Sequence, residues 1–329
     1  MMEKVPRLLM NAVLVLCCFL PSLGHAEGRV YSLKDYKDGA AFLESIPLPG
    51  GRDSRARRDL TALFSAYPDH CAGIELSEEN RLYVVMNKGR RLVYEDGKGK
   101  SFREKLEDPD LQDMLEQEYR PGPVEEDPPE DFDPGRIRVT AFFQAVYGET
   151  RDEVVGNCLE TPFLGERVPF NVRGGARDAL RKVDEELSAL LRANPPLAKH
   201  VRPLGGSFSW RWIDGTRRLS PHAFAAALDL NPARGAYWRW GTGTDPGEAR
   251  RRYPREIVRA FEKHGFIWGG KWYHYDLMHF EFRPELLFSH RISAEAPKPA
   301  PWAPRRQSRA SNEQSRPGKE TPGSWKIED

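Results

Sequence analysis

Apolar residues recur at helical spacing between Asp59 and Ala66, where Leu60, Leu63 and Phe64 share a face. Arg81 to Met86 then alternates as a strand does. Asn87-Lys88-Gly89 turns the chain and Arg91 to Tyr94 returns, which predicts a hairpin. Further on, Val139 to Tyr147 is apolar and aromatic, and Phe163 to Val172 is strand-like. The clearest helix spans Gly174 to Asn194. Ala179, Leu180, Val183, Leu187, Leu190 and Leu191 fall on one face, charged residues occupy the other, and Pro195-Pro196 stops it. A second helix begins near Pro254, buries Ile257, Val258 and Phe261, and closes at Gly265, a residue suited to a left-handed cap. Two short runs, Ala226 to Leu230 and Met278 to Phe282, read as strands interrupted by charged or titratable residues.

The gaps in this pattern set the expected boundaries. Residues 1–26 read as an export signal: Lys4 and Arg7 precede a short apolar run from Leu8 to Leu20, and Gly24-His25-Ala26 supplies small residues for cleavage. That run is shorter than the roughly 20 apolar residues that span a bilayer. The mature chain is therefore expected to have no membrane span and to lie in the periplasm or cell envelope. Residues 27–120 form a small mixed module. Residues 121–135, rich in proline and carboxylates, form a linker or exposed loop. Residues 136–291 form a second domain, and 292–329, almost without aliphatics, are expected to be a disordered tail.

Composition narrows the picture only a little. Over 329 residues the formal net charge is +1, and the basic excess of a nucleic-acid binder is missing. Beyond the signal, two cysteines remain, Cys71 and Cys158. An oxidising compartment permits a disulfide between them, and two independent buried thiols are the alternative.

The chemistry lies in the two interrupted strands. Asp229 stands inside the apolar run Ala226-Ala-Leu-Asp229-Leu, where an unpaired carboxylate is costly unless it meets a cation or several hydrogen bonds. His222 precedes it. In the second run His279 and Glu281 share one face, with Asp276 on the turn before them. Two imidazoles and a carboxylate suit a tetrahedral zinc with a fourth place open to water. Asp276 is then the first candidate for proton acceptor and Glu281 a weaker one.

Ser220-x-His222-x6-Asp229, followed by Asp276-x-x-His279-Phe-Glu281, resembles the zinc signature of the D-alanyl-D-alanine carboxypeptidase family. This group includes the vancomycin-resistance dipeptidases and carboxypeptidases and the L-alanyl-D-glutamate endopeptidases. The resemblance covers about residues 136–290 and includes Ser207-Phe-Ser-Trp-Arg211, Gly215 to Ser220 and Phe266 to Trp272. It implies an α+β fold in which a small antiparallel sheet carrying the ligands packs against helices. It makes His222, Asp229 and His279 the zinc ligands and Asp276 the general base. Arg211 stabilises the oxyanion or grips substrate, and Ser220 binds substrate or orients its loop. The implied activity is a zinc metallopeptidase acting on D-amino-acid-containing peptidoglycan peptides, as D-Ala-D-Ala carboxypeptidase or L-Ala-D-Glu endopeptidase. The same fold also permits a noncatalytic zinc-containing peptidoglycan-binding module, as the resembling Hedgehog signalling domain shows. One departure stands out: Ala225 occupies a position where the family usually has glycine. Neighbouring Ala226 and Ala227 suggest that close packing, not a left-handed backbone, is what the position requires.

Overall fold

The computed structural model describes residues 29–35, 39–46, 53–240 and 245–295. The expected export signal and nearly all of the expected tail lie outside these residues. Among the described residues no helix is long and apolar enough to cross a membrane.

The alternation around Arg81 to Tyr94 becomes one side of a four-stranded antiparallel sheet. Its strands are β1 (Arg29–Ser32), β2 (Cys71–Leu76), β3 (Leu82–Met86) and β4 (Arg91–Val93), in that spatial order. Val84 pairs with Ile74 on one side and Leu92 on the other, and Leu82, Val84 and Met86 are buried. Period-two burial of this kind fixes the register. Helices α1 (Gly39–Glu44) and α2 (Asp53–Ala66) precede β2, and α3 (Phe102–Glu107) and α4 (Leu111–Met114) follow β4.

The aromatic run after residue 136 forms helix α5 (Thr140–Tyr147), which buries Phe142, Phe143, Val146 and Tyr147. After α6 (Arg151–Gly156), the strand-like stretch Phe163 to Val172 supplies the turn and second arm, β6 (Glu166–Asn171), of a hairpin whose first arm is β5 (Cys158–Phe163). Leu164 and Gly165 turn it with φ of 50° and 81°, the positive pair that a tight two-residue hairpin needs. The amphipathic helix follows as α7 (Ala176–Ala193), and after it come α8 (Ala198–Val201), β7 (Ala227–Asp229), α9 (Pro246–Arg252) and α10 (Arg255–Lys263). Gly265 takes φ of 91° just past α10, as its position suggested. The last elements are β8 (Phe266–Trp268), β9 (His279–Phe282) and α11 (Pro284–Glu295), the last running past residue 291.

Strands β7, β9 and β8 form a three-stranded antiparallel sheet with β9 in the centre. Phe280 of β9 stacks on Phe261 of α10, with ring centroids 4.0 Å apart. The fold is α+β, with small antiparallel sheets packed against helices.

One continuous hydrophobic core runs from Phe42 to Leu287, drawing on both sides of the proline-rich stretch. Tyr67 donates to Glu285 at 2.9 Å, tying α2 to α11. Tyr119 donates to Glu262 at 2.6 Å, and the buried Lys271 pairs with the same carboxylate. Residues 121–135 carry no helix or strand, as their prolines dictate, yet they are held at several points. Trp272 Nε1 donates to the Pro134 carbonyl at 2.7 Å and Arg283 Nη1 to that of Gly135 at 2.6 Å. Prolines remove N–H donors but leave carbonyls free to accept, so such a stretch can still be strapped down. The permitted disulfide is not formed. Cys71 is buried in β2, Cys158 sits half-buried in β5, and both thiols are free.

Candidate metal centre

The sheet register brings the ligand candidates together. Asp229, at the end of β7, lies directly across from His279, the first residue of β9. On the other side of Asp229, Gly205 and Gly206 exchange backbone hydrogen bonds with it at 2.8 and 2.9 Å. A Cβ on Gly205 would stand 2.9 Å from that of Asp229, so only glycine fits there. His222 arrives on a 3-10 turn, Pro221–Phe224, whose N-cap Ser220 accepts the His222 N–H through its hydroxyl at 3.3 Å.

The turn ends at Ala225, which is left-handed at φ 51°, ψ 40°. The expectation that packing alone governs this position is thus corrected: the backbone itself calls for glycine. An L-residue there costs about 1 kcal/mol. Asn171 holds the turn, donating from its backbone N–H to the Ala225 carbonyl at 2.9 Å and from its side chain to that of Phe224 at 3.1 Å.

Three donor atoms form a small triangle. His222 Nε2 stands 3.2 Å from Asp229 Oδ1 and 3.2 Å from His279 Nδ1, and His279 Nδ1 stands 2.9 Å from Asp229 Oδ1. Ligand atoms on a tetrahedral ion with bonds of about 2.0–2.1 Å stand roughly 3.3 Å apart. Among the described residues this is the group of histidines and carboxylates whose geometry could hold a metal ion.

The outer partners fix the tautomers. His222 Nδ1 donates to the Ser207 carbonyl at 3.0 Å, and His279 Nε2 donates to Glu281 at 3.1 Å. Because both partners only accept, each imidazole holds a proton on its outer nitrogen and turns the other nitrogen toward the triangle. Glu281 therefore stands behind His279, clasped by Arg138 and Arg283, and does not face the triangle.

The electrostatics match. Burial opposes ionisation of Asp229, but His222 and His279 outweigh it and hold its carboxyl well below the usual range. Burial likewise opposes ionisation of Glu281, and Arg138, His279 and Arg283 reverse that effect. His279 is pushed up to about 10: burial works against the imidazolium, and hydrogen bonds to Asp229 and Glu281 overcome it. A site that grips a proton this tightly is strongly favourable to cations.

Asp276 lies on the turn before β9, where it donates its N–H to Gly269 O at 3.0 Å. Burial raises its carboxyl to about 6, partly offset by His279 and Arg136. Its Oδ1 is buried without any hydrogen-bond partner. A buried carboxylate oxygen left without a donor is costly, so it calls for a partner at this position.

The two remaining candidates lie apart from the triangle. Ser220 is 3% exposed, its hydroxyl spent on the His222 loop. Arg211 lies opposite Ser220, whose N–H donates to the Arg211 carbonyl at 3.1 Å, but its side chain is exposed and makes no hydrogen bond or ion pair among the described residues. Sequence reasoning missed Arg138 and Arg283, the guanidinium pair behind Glu281. The visible signal was arginine at the edge of apolar runs, Arg138 before Val139 and Arg283 after Phe282.

A family model described as D-alanyl-D-alanine carboxypeptidase matches residues 214–282. The match takes in Ser220, His222, Asp229, Asp276 and His279, and leaves out Arg211 and everything before residue 214. No curated protein and no solved structure matches the chain.

Proposed function

We propose, from the resemblance of residues 214–282 to the D-alanyl-D-alanine carboxypeptidases, that this chain is a zinc-dependent peptidase that hydrolyses D-amino-acid-containing peptides of the bacterial cell wall. The observation that carries this reading is the orphaned Oδ1 of Asp276 beside a three-donor triangle of tetrahedral dimensions. The donor set suits zinc: two neutral imidazole nitrogens and one carboxylate oxygen, each oriented from behind. Zinc bound there supplies Lewis acidity and a water of pKa near 7.

The chain's own residues supply the rest. Asp276 accepts the proton of the attacking water and passes it to the departing amine, so that the acid removed in one step is returned in the next. A base raised to about 6 is matched to that double duty near neutral pH. Glu281 and the Ser207 carbonyl keep the imidazoles in register, and Ser220 fixes the loop that carries His222. Arg211 offers an exposed guanidinium opposite that loop to bind the substrate or its developing oxyanion. Peptidoglycan lies outside the cytoplasm, which agrees with the export signal read in the first 26 residues.

The test is incubation of the purified protein with muropeptides, read by mass spectrometry. A chelator-sensitive product, absent with Asp276→Ala, is expected and would identify the bond cut. Bound zinc with every muropeptide intact would instead favour a noncatalytic wall-binding module.

A further inference from the structure

We propose that Arg218 anchors a free carboxylate of the substrate and that Glu107, from the N-terminal segment, occupies this anchor when no substrate is bound. The inference rests on the peptidase reading above, whose site it deepens.

Arg218 sits four residues before His222, at the start of the loop that delivers that imidazole. Its backbone is pinned: Ile213 N–H donates to its carbonyl at 2.8 Å and its own N–H donates to Thr216 at 3.2 Å. Its side chain is only 12% exposed, yet Nε is buried with no hydrogen-bond partner. The nearest carboxylate is Glu107, at the end of α3, 3.5 Å from Nε in an ion pair without a hydrogen bond. Glu107 is itself 45% exposed, so it is free to swing away.

Burial, and then the like charges of Arg138, Arg136 and Arg239, disfavour the Arg218 guanidinium and lower it to about 10 against the pull of Glu107. All three neighbours are already engaged, Arg239 with Asp214 at 3.8 Å. Arg138 is clasped by Glu281, and Arg136 donates to the His274 carbonyl at 2.8 Å and lies 3.9 Å from Asp133. Arg136 also acts on the Asp276 carboxyl, so one guanidinium lies within electrostatic reach of both the base and Arg218. The result is a buried guanidinium at the start of the His222 loop with one hydrogen bond unmade. Burying a guanidinium donor without a partner is costly, and an anion that completes its fork recovers that cost. A peptide with a free carboxylate near the scissile bond carries such a group, and the corresponding amide does not.

Glu107 makes the proposal directional. If its carboxylate stands in for the ligand's, removing it should help binding, whereas removing Arg218 should harm it. A purely structural ion pair would make both changes neutral or harmful.

The experiment uses the zinc-loaded protein with a D-alanyl-D-alanine-terminated peptide and its C-terminal amide. Hydrolysis is followed by mass spectrometry, and binding to metal-free protein by calorimetry. The wild type is expected to prefer the acid by about tenfold or more, the range of a hydrogen-bonded charge pair. Arg218→Gln should erase the preference, Arg218→Lys should restore part of it, and Glu107→Gln should tighten acid binding several-fold. Equal turnover of acid and amide by the wild type would overturn the carboxylate anchor and leave the peptidase standing. Arg218-dependent acid binding with no hydrolysis would support the anchor and remove the peptidase. Weaker acid binding in Glu107→Gln would overturn the stand-in role of Glu107.

Discussion

Two carboxylate clusters in this molecule solve the same electrostatic problem in opposite ways. In the N-terminal segment Asp96, Asp110 and Asp113 surround Lys100, whose Nζ lies 2.9, 3.4 and 2.8 Å from them. The cation is built into the chain and the cluster is closed. Around β7 and β9, Asp229 and Asp276 converge on two imidazoles with no lysine or arginine between them, and one Asp276 oxygen is left unsatisfied. Among the described residues, every buried polar side-chain atom without a partner lies beyond residue 136: on Tyr147, His200, Arg218, Trp238, Tyr253, Asp276 and Arg283. A buried polar group without a partner calls for an explanation, and at Asp276 the neighbouring donor triangle offers one.

Asp276→Asn tests the open cluster most severely. It preserves shape and removes the proton acceptor, so kcat should fall by at least about a hundredfold. Zinc content, read by metal analysis, should stay near that of the wild type. Lys100→Met is the matching test of the closed cluster. Removing the cation shared by the buried Asp110 and Asp113 and the half-buried Asp96, of which Asp96 keeps Lys98 and Asp113 keeps Lys105, should cost about 3 kcal/mol in chemical denaturation. Activity per folded molecule should not change, which separates the two clusters by function as well as by stability.

The sign of the pH response also follows. His279 is raised to about 10, so below that pH it holds a proton that metal binding must displace. Zinc affinity should therefore weaken as pH falls, by up to about tenfold per unit, with proton release seen as a buffer-dependent calorimetric enthalpy. The smallest effect concerns the left-handed turn. Ala225→Gly should remove strain of about 1 kcal/mol, partly offset by the freer unfolded chain, and raise the melting temperature by a few degrees at most.

The ligand strands were legible because charged or titratable residues inside apolar runs demand an explanation, and Asp229 and His279 supplied it on facing positions of β7 and β9. The amphipathic helix α7 was legible from its period. What escaped was of two kinds. Pairings distant in sequence leave no local trace: Arg138 with Glu281, Tyr119 with Glu262 and Arg218 with Glu107 join residues that no window of sequence holds together. Conformation at a single residue is equally silent. Ala225 reads as packing because alanine seldom adopts positive φ, and only the backbone reveals the requirement. The proline-rich stretch shows a third limit, since composition forbids helix and strand there but says nothing about carbonyls that Trp272 and Arg283 come to fill.

The central claim is that His222, Asp229 and His279 form a metal site, and zinc content after exhaustive dialysis tests it most directly. The account predicts close to one zinc per wild-type chain and almost none in a folded Asp229→Ala variant. A folded wild-type protein that keeps no zinc, or a variant that keeps as much as the wild type, would contradict it.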